Sequence, residues 1–240
     1  MIKTEQKNFL NKENLIVGFD VSNNSCTVAI SQGQNIVAYQ EDLRNSMQAE
    51  TLLGLIENAL SFIKMSYKDV GYLAFTNGPG SFTGIRIGMA AVEGIIVARP
   101  DIKPVPISNF EISYYRLCSQ IKYFDQAIIL LNAYRGQLYY QKFNRHLDNR
   151  TVGEFGIIDV NDALNLFASR NDKKIACAGS GVSEIYEQIK TLSNITILPR
   201  FSQIKATAIC RCADDKINKE DLSDKVEPLY IRPPDAKLPE

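Results

Sequence analysis

The chain has 240 residues, enough for one large domain or two small ones with a real hydrophobic core. Its 45% apolar and 22% charged residues are ordinary for a soluble globular protein. Because 27 basic and 27 acidic side chains balance, the composition argues against autonomous nucleic-acid binding and leaves only a local basic patch open.

The five cysteines are odd in number and show no CxxC spacing, so they predict neither a disulfide framework nor a zinc ribbon. The polar leader, residues 1–14, lacks the apolar core of a signal peptide. No apolar run is long enough to cross a bilayer. We therefore expect a cytoplasmic protein.

The first half is predicted to follow the order βββαβα. Strands are predicted at 15–19, 26–30, 35–40 and 72–76, and helices at 47–64 and after a glycine loop to about 97. Ser46 is predicted to cap the first helix. Apolar residues cover about half of that helix, more than one packed face requires, so part of it is expected to meet a partner.

A glycine-rich loop, Gly78–Gly88, separates the fourth strand from the second helix. Glycines permit positive φ and close approach, and a helix N-terminus favours an anion. However, no Lys-Ser/Thr pair follows Gly84 as a Walker loop requires, and Thr83 stands where the dinucleotide fingerprint needs glycine. Because Gly84, Gly88 and Ala91 line one helix side, we favour close packing and an interface over nucleotide binding.

A composition change near residues 100–108 marks the expected domain boundary. The expected divisions are a leader at 1–14, an N-terminal subdomain at 15–105, a C-terminal subdomain at 106–226 and a proline-rich tail at 227–240. The second half is predicted to have strands at 127–131, 138–143, 155–158 and 174–178 and helices at 161–167 and 182–192. The two halves therefore look like related α/β units, and the tail like an extended, anchored segment.

Three polar residues are candidates for catalysis or metal binding. Asp20 ends the first strand, where the actin and sugar-kinase superfamily holds its nucleotide's metal, although such aspartates more often form turns. Asn132 stands where that superfamily has a second acid, and an amide cannot replace it as a base or magnesium ligand. His146 is the single histidine, which excludes sites built on two. The residues predict no catalytic group and no metal site.

The loop Gly78–Gly88 resembles the signature of the bacterial TsaB family, formerly YeaZ. Supporting matches are Ile16–Ser22, Pro106–Ser108 with Glu111, Ala133–Tyr139 and Pro228–Arg232. The resemblance covers most of the chain after the polar leader.

This resemblance implies an actin-like, Hsp70-like (ASKHA) fold and a role in threonylcarbamoylation of the adenosine beside the anticodon of ANN-decoding tRNAs. It implies a non-catalytic subunit that pairs with the catalytic paralogue TsaD, works with the ATPase TsaE, and homodimerises through its first two helices. It implies tRNA binding only through the complex, and no membrane. TsaD has two metal-binding histidines where this chain has Asn109 and Ser113, which are poor replacements for imidazole.

Two sets of site residues follow. The expected partner surface comprises Leu52, Leu53, Ile56, Leu60, Arg86, Gly88, Met89 and Glu93. A vestigial nucleotide site, whose ligand would be ATP or ADP with magnesium at the complex interface, comprises Asp20, Ser22, Gly78, Gly80, Ser81, Thr83 and Gly84. The alternative function is an actin-like ATPase or small-molecule kinase that uses Asp20 and Gly78–Gly84.

Overall fold

A computed structural model shows how these elements are arranged. It describes residues 15–23, 25–44, 46–145, 153–167, 173–198, 204–222 and 225–232. The chain divides into a first unit, Met1–Tyr115 with Gln203–Pro228, and a second unit, Arg116–Ser202 with Leu229–Glu240.

The described residues form strands and helices with the following bounds. The strands are β1 (Leu15–Asp20), β2 (Cys26–Gln32), β3 (Asn35–Asp42), β4 (Val70–Thr76), β5 (Lys103–Ile107), β6 (Gln126–Asn132), β7 (Gln137–Asn144), β8 (Phe155–Asp159), β9 (Ile175–Ala178) and β10 (Ile195–Ile197). The helices are α1 (Gln48–Phe62), α2 (Phe82–Ala98), α3 (Asn109–Gln120), α4 (Tyr186–Ile189) and α5 (Ala206–Asn218).

The two units have sheets of the same connectivity. The first sheet has the order β3-β2-β1-β4-β5, and the second has the order β10-β9-β6-β7-β8. In each, the first strand pairs antiparallel with the next strand of a hairpin and parallel with a later strand. The expectation of two related α/β units with mixed sheets is confirmed.

Both faces of β1 are buried. Because side chains alternate along a strand, successive residues of β1 pack in two different cores. Leu15, Val17 and Phe19 belong to the core beneath α1 and α2, whereas Ile16 belongs to the core beneath α5. A Cβ at Gly18 would lie 2.6 Å from Cys210 Sγ, so the glycine allows α5 to pack close to β1.

The helices differ more from expectation than the strands. The helix predicted at 161–167 is a 3₁₀ helix over Val160–Leu166, and the one predicted at 182–192 is split into a 3₁₀ turn and α4. Ser46 does not cap α1; it has a φ of +63°, and Met47 is the N-cap residue. Helices α3 and α5 and strand β10 were not predicted.

The division into units differs from the expected boundary at 105/106. Residues up to Tyr115 and the later segment Gln203–Pro228 belong to the first unit, because α5 returns to cover its sheet. In the tail, Arg232 Nη2 donates to Gln137 Oε1 at 2.6 Å within the second unit. The remaining tail, residues 233–240, lies outside the described residues, as do His146 and the leader.

Candidate functional site

Asp20 lies at the carboxyl end of β1, beside the end of the parallel strand β4. Its side chain is completely buried. Oδ1 accepts hydrogen bonds from Ser22 N at 3.0 Å, Ser22 Oγ at 2.6 Å and Thr76 Oγ1 at 2.6 Å. Oδ2 accepts one from Asn23 Nδ2 at 2.9 Å. The carboxylate therefore anchors the turn after β1 to the end of β4.

The glycine loop packs directly on this turn. Ser81 N donates to Ser22 O at 2.9 Å. A Cβ at Gly84 would lie 2.0 Å from Val21 O, and one at Gly80 would lie 2.9 Å from Ser22 O. These glycines therefore let the loop approach another backbone, and Gly84 is one of the residues whose spacing indicated close packing.

Asn109, the first residue of α3, fastens the other side of the loop. Its Nδ2 donates to Pro79 O at 2.7 Å and to Ser22 Oγ at 3.0 Å, while its backbone N donates to Gly78 O at 2.7 Å. The side chain is 2% exposed. At the position compared with a TsaD histidine, this chain therefore has a loop anchor, and Ser113 Oγ donates to Asn109 O at 2.7 Å.

The start of α3 is fixed by a reciprocal cap. Glu111 Oε2 accepts from Ser108 N at 2.7 Å, and Glu111 N donates to Ser108 Oγ at 3.1 Å. Lys216 Nζ of α5 donates to Glu111 Oε1 at 2.7 Å. Burial lowers the pKa of Lys216, but the Glu111 carboxylate, with smaller contributions from Asp221 and Cys212, outweighs it and leaves that pKa raised. This ion pair holds the Asn109 anchor against α5.

The two remaining candidates of the glycine loop, Ser81 and Thr83, lie at the start of α2. Ser81 is the N-cap of α2, and its Oγ accepts from Gly84 N at 3.2 Å. Thr83 is exposed in the first turn of α2. Since Asp20 faces protein donors and Gly84 faces a backbone carbonyl, these residues do not fit a magnesium–phosphate site between Asp20 and the loop.

The expected partner surface needs correction, because most of it is core. Leu52, Ile56, Leu60, Gly88 and Met89 are buried in the first unit. A Cβ at Gly88 would lie 3.1 Å from Val21 Cγ2, so this glycine serves packing beneath α2.

Other residues of α1 and α2 are exposed. Large apolar ones are Leu53 at 47%, Phe62 at 75%, Phe82 at 45% and Val97 at 83% exposure. Arg86 and Glu93 are exposed as expected, and the Arg86 guanidinium lies 3.8 Å from the Phe82 ring centroid. A Cβ at Gly54 or Gly94 would meet nothing within 4 Å, so both helices have flat, open positions on their outer side.

The second unit has a comparable turn at the end of β6. A Cβ at Gly179, which has a φ of +116°, would lie 2.0 Å from Leu130 O. Asn132 uses both ends of its amide: Oδ1 accepts from Tyr134 N at 2.7 Å and Nδ2 donates to Glu184 at 3.3 Å. The Asn132 amide therefore stabilises the turn. This agrees with the expectation that Asn132 does not replace the second acid of the superfamily.

No group of three or more histidine, cysteine, aspartate or glutamate side chains that could hold a metal ion occurs among the described residues. All five cysteines are free, and burial raises the pKa of Cys26 to about 12. None of the helices in the described ranges combines the length and apolar character needed to cross a lipid bilayer.

Sequence reasoning missed Thr76 and the anchoring role of Asn109. A signal for Thr76 was present, because it ends a strand parallel to the one that Asp20 ends, and such ends meet at one sheet edge. Nothing in the local sequence marks Asn109, since its contacts are with residues far away along the chain.

Comparisons with known proteins identify relatives of this chain. Residues 45–223 match the family model described as "TsaD: tRNA N6-adenosine threonylcarbamoyltransferase". A TsaB of Haemophilus influenzae, named a tRNA threonylcarbamoyladenosine biosynthesis protein, is 22% identical over 90% of this chain and 93% of its own. A Buchnera aphidicola (Acyrthosiphon pisum) protein of the same name is 27% identical over 59% of this chain and 63% of its own.

The fold is similar to that of a solved structure, YeaZ from Pseudomonas aeruginosa. Its TM-score is 0.73 at 18% identity, and the match covers 90% of this chain and 99% of that one. The expected α/β fold of the TsaB (YeaZ) family is thereby confirmed. The chain belongs to the family that the matched model describes, as one of its TsaB (YeaZ) members.

Proposed function

We propose that this chain is the non-catalytic scaffold subunit of a tRNA threonylcarbamoyladenosine-forming complex, in which it pairs with TsaD and works with TsaE. In the absence of TsaD it forms a homodimer through the same surface. Catalysis resides in the partner, and this chain contributes the surface that assembles it.

The observation that carries the proposal is the exposure of large apolar side chains on α1 and α2. Leu53, Phe62 and Val97 are each at least 47% exposed, although they lie on helices that have well-packed inner sides. Large apolar residues that are exposed on two helices in contact with each other are available to a partner. The open positions at Gly54 and Gly94 allow a second helix pair to approach closely.

Charged residues on α2 would fix the alignment of a partner on this surface. Arg86 and Glu93 lie two turns apart and are both exposed, so a partner with a complementary arrangement of charge would be held in one alignment. The contact of Arg86 with the Phe82 ring orients the guanidinium at the start of α2.

The residues favour a scaffold over the ATPase or kinase alternative. The alternative needs the Asp20 carboxylate to face a metal ion, but four protein donors occupy it. It also needs space at the glycine loop, which the turn after β1 fills. Magnesium-dependent ATP turnover by the purified chain alone would support the alternative instead.

Leu53→Glu is expected to weaken the complex with TsaD at least about tenfold, because it places a charge in an apolar contact. Its thermal unfolding should change little, because Leu53 is 47% exposed in the free chain. The matched control is Leu192→Glu, an exposed leucine of the second unit that should leave the complex intact. Equal affinity of both variants for TsaD would contradict the surface assignment.

Mass in solution tests the pairing itself. Light scattering of the chain with TsaD should give a heterodimer, and the chain alone should give a homodimer that TsaD displaces. A chain that stays monomeric in both samples would overturn the proposal.

A further inference from the structure

A cluster of basic and aromatic residues lies at one edge of the second unit. Asp125 brings its three segments together: Asp125 O accepts from Arg145 N at 3.2 Å, and Asp125 Oδ2 accepts from Lys174 N at 2.8 Å. We name this cluster the Asp125 edge. Its members are Lys122, Tyr123, Arg145, Lys173 and Lys174.

The charges of the Asp125 edge are available to a ligand. Lys122, Arg145 and Lys174 are exposed, and Lys173 is half-buried. In the described parts of the chain, none of these four cations forms an ion pair with an acid. Other lysines of the same unit are paired, as the Lys142–Glu154 contact at 3.0 Å shows.

The chain has no net charge, but its charges are unevenly divided between the two units. Residues 116–202 and 229–240, the second unit, contain 13 basic and 10 acidic side chains, whereas the first unit contains 14 basic and 17 acidic ones. The Asp125 edge lies on the basic unit, so the field around it favours a polyanion.

Aromatic groups lie among these charges. Tyr123 is 82% exposed, next to Lys122 in the chain. The Arg145 guanidinium lies 4.8 Å from the ring centroid of Phe124, which orients it beside the same segment. Cations bind phosphates, and an exposed aromatic ring or a guanidinium plane stacks on an unpaired base.

We propose that the Asp125 edge is an RNA-binding surface through which this chain contacts the tRNA directly. This proposal rests on the proposed function, which supplies tRNA as the polyanion. Cations without an acidic partner lie beside an exposed aromatic ring. This combination favours RNA over an acidic protein surface, for which the ring would have no role. The expectation was tRNA binding only through the complex, and this proposal adds a direct contact by this chain within that complex.

The test uses the double variant Lys122→Glu/Lys174→Glu in the complex with TsaD, with tRNA affinity measured by fluorescence anisotropy across a salt series. We expect affinity to fall about tenfold or more and the slope of log K against log salt to decrease in magnitude by about two. The control is Lys68→Glu/Lys103→Glu, exposed lysines of the first unit that change the net charge equally. Tyr123→Ala should weaken binding without changing the salt slope.

The outcomes separate this proposal from the proposed function. An intact complex in which the edge variant and the control bind tRNA equally well overturns the RNA surface and leaves the scaffold role standing. A variant that loses TsaD instead of tRNA makes the edge a protein interface and also overturns it. If the wild-type chain does not pair with TsaD, the scaffold role fails, and tRNA binding by the chain alone then decides the RNA surface: equal binding by variant and control, or none, overturns it.

Discussion

Gly84→Ala is expected to lower the free energy of unfolding by about 3 kcal/mol, because the added methyl group overpacks a closed contact. The new Cβ would lie 2.0 Å from Val21 O, whereas real Cβ contacts below 3.0 Å are essentially never seen. The backbone of the loop or of the turn must therefore move. Urea unfolding monitored by circular dichroism measures the effect.

The same helix provides the matched control. Gly94→Ala adds an identical methyl group where nothing lies within 4 Å, so it should stabilise the helix by about 0.5–1 kcal/mol. Because the loop positions α2, Gly84→Ala should also weaken the complex with TsaD. A Gly84→Ala protein as stable as wild type would show that the loop does not pack on the turn after β1.

Asp20→Ala is expected to cost about 3–5 kcal/mol of unfolding free energy, because it removes the acceptor that four buried or partly buried donors share. Thr76→Val removes one donor and leaves the carboxylate with its others, so its cost should be smaller, about 1 kcal/mol. Chemical denaturation of both variants gives the comparison.

This series also separates the scaffold from the ATPase alternative. An aspartate that serves a metal ion is expected to be replaceable without loss of stability, because the polar groups gathered at a metal site bind the ion and do not stabilise the fold. A structural aspartate is not. If Asp20→Ala folded as stably as wild type and abolished an ATP turnover that the wild-type chain possessed, the catalytic alternative would be correct.

Most of the strands were predictable because their signals are local, although β10 was not predicted. β1, β2 and β3 are apolar runs separated by short polar turns, and the predicted bounds differ from the observed ones by a few residues at most. The glycine loop was also interpretable, since the absence of a Lys-Ser/Thr pair after Gly84 excluded the Walker template. Its packing partner, Val21, lies far back in the sequence and could not be read locally.

Helix α5 was missed although its buried residues recur at helical spacing, at Ala206, Ile209, Cys210 and Ala213. Three of these residues are small, and what the sequence does not show is why. They are required by the close approach to Gly18 of β1, which is a tertiary contact.

The partner surface was only partly predictable for a related reason. A helical wheel shows that α1 is apolar over half its circumference, but it does not show which part the fold covers. The position of β2 and β3 beneath α1 buries Leu52 and Ile56 and leaves Leu53 outside. Exposure, and not apolar character, therefore selects the residues available to a partner.

Reconstitution of tRNA modification tests the central claim most directly. Purified TsaD, TsaE, tRNA and a source of threonylcarbamoyl-adenylate would be assayed for threonylcarbamoyladenosine with and without this chain. The scaffold account predicts modification only when the chain is present, together with no ATP turnover by the chain alone. Full modification in its absence would contradict the account.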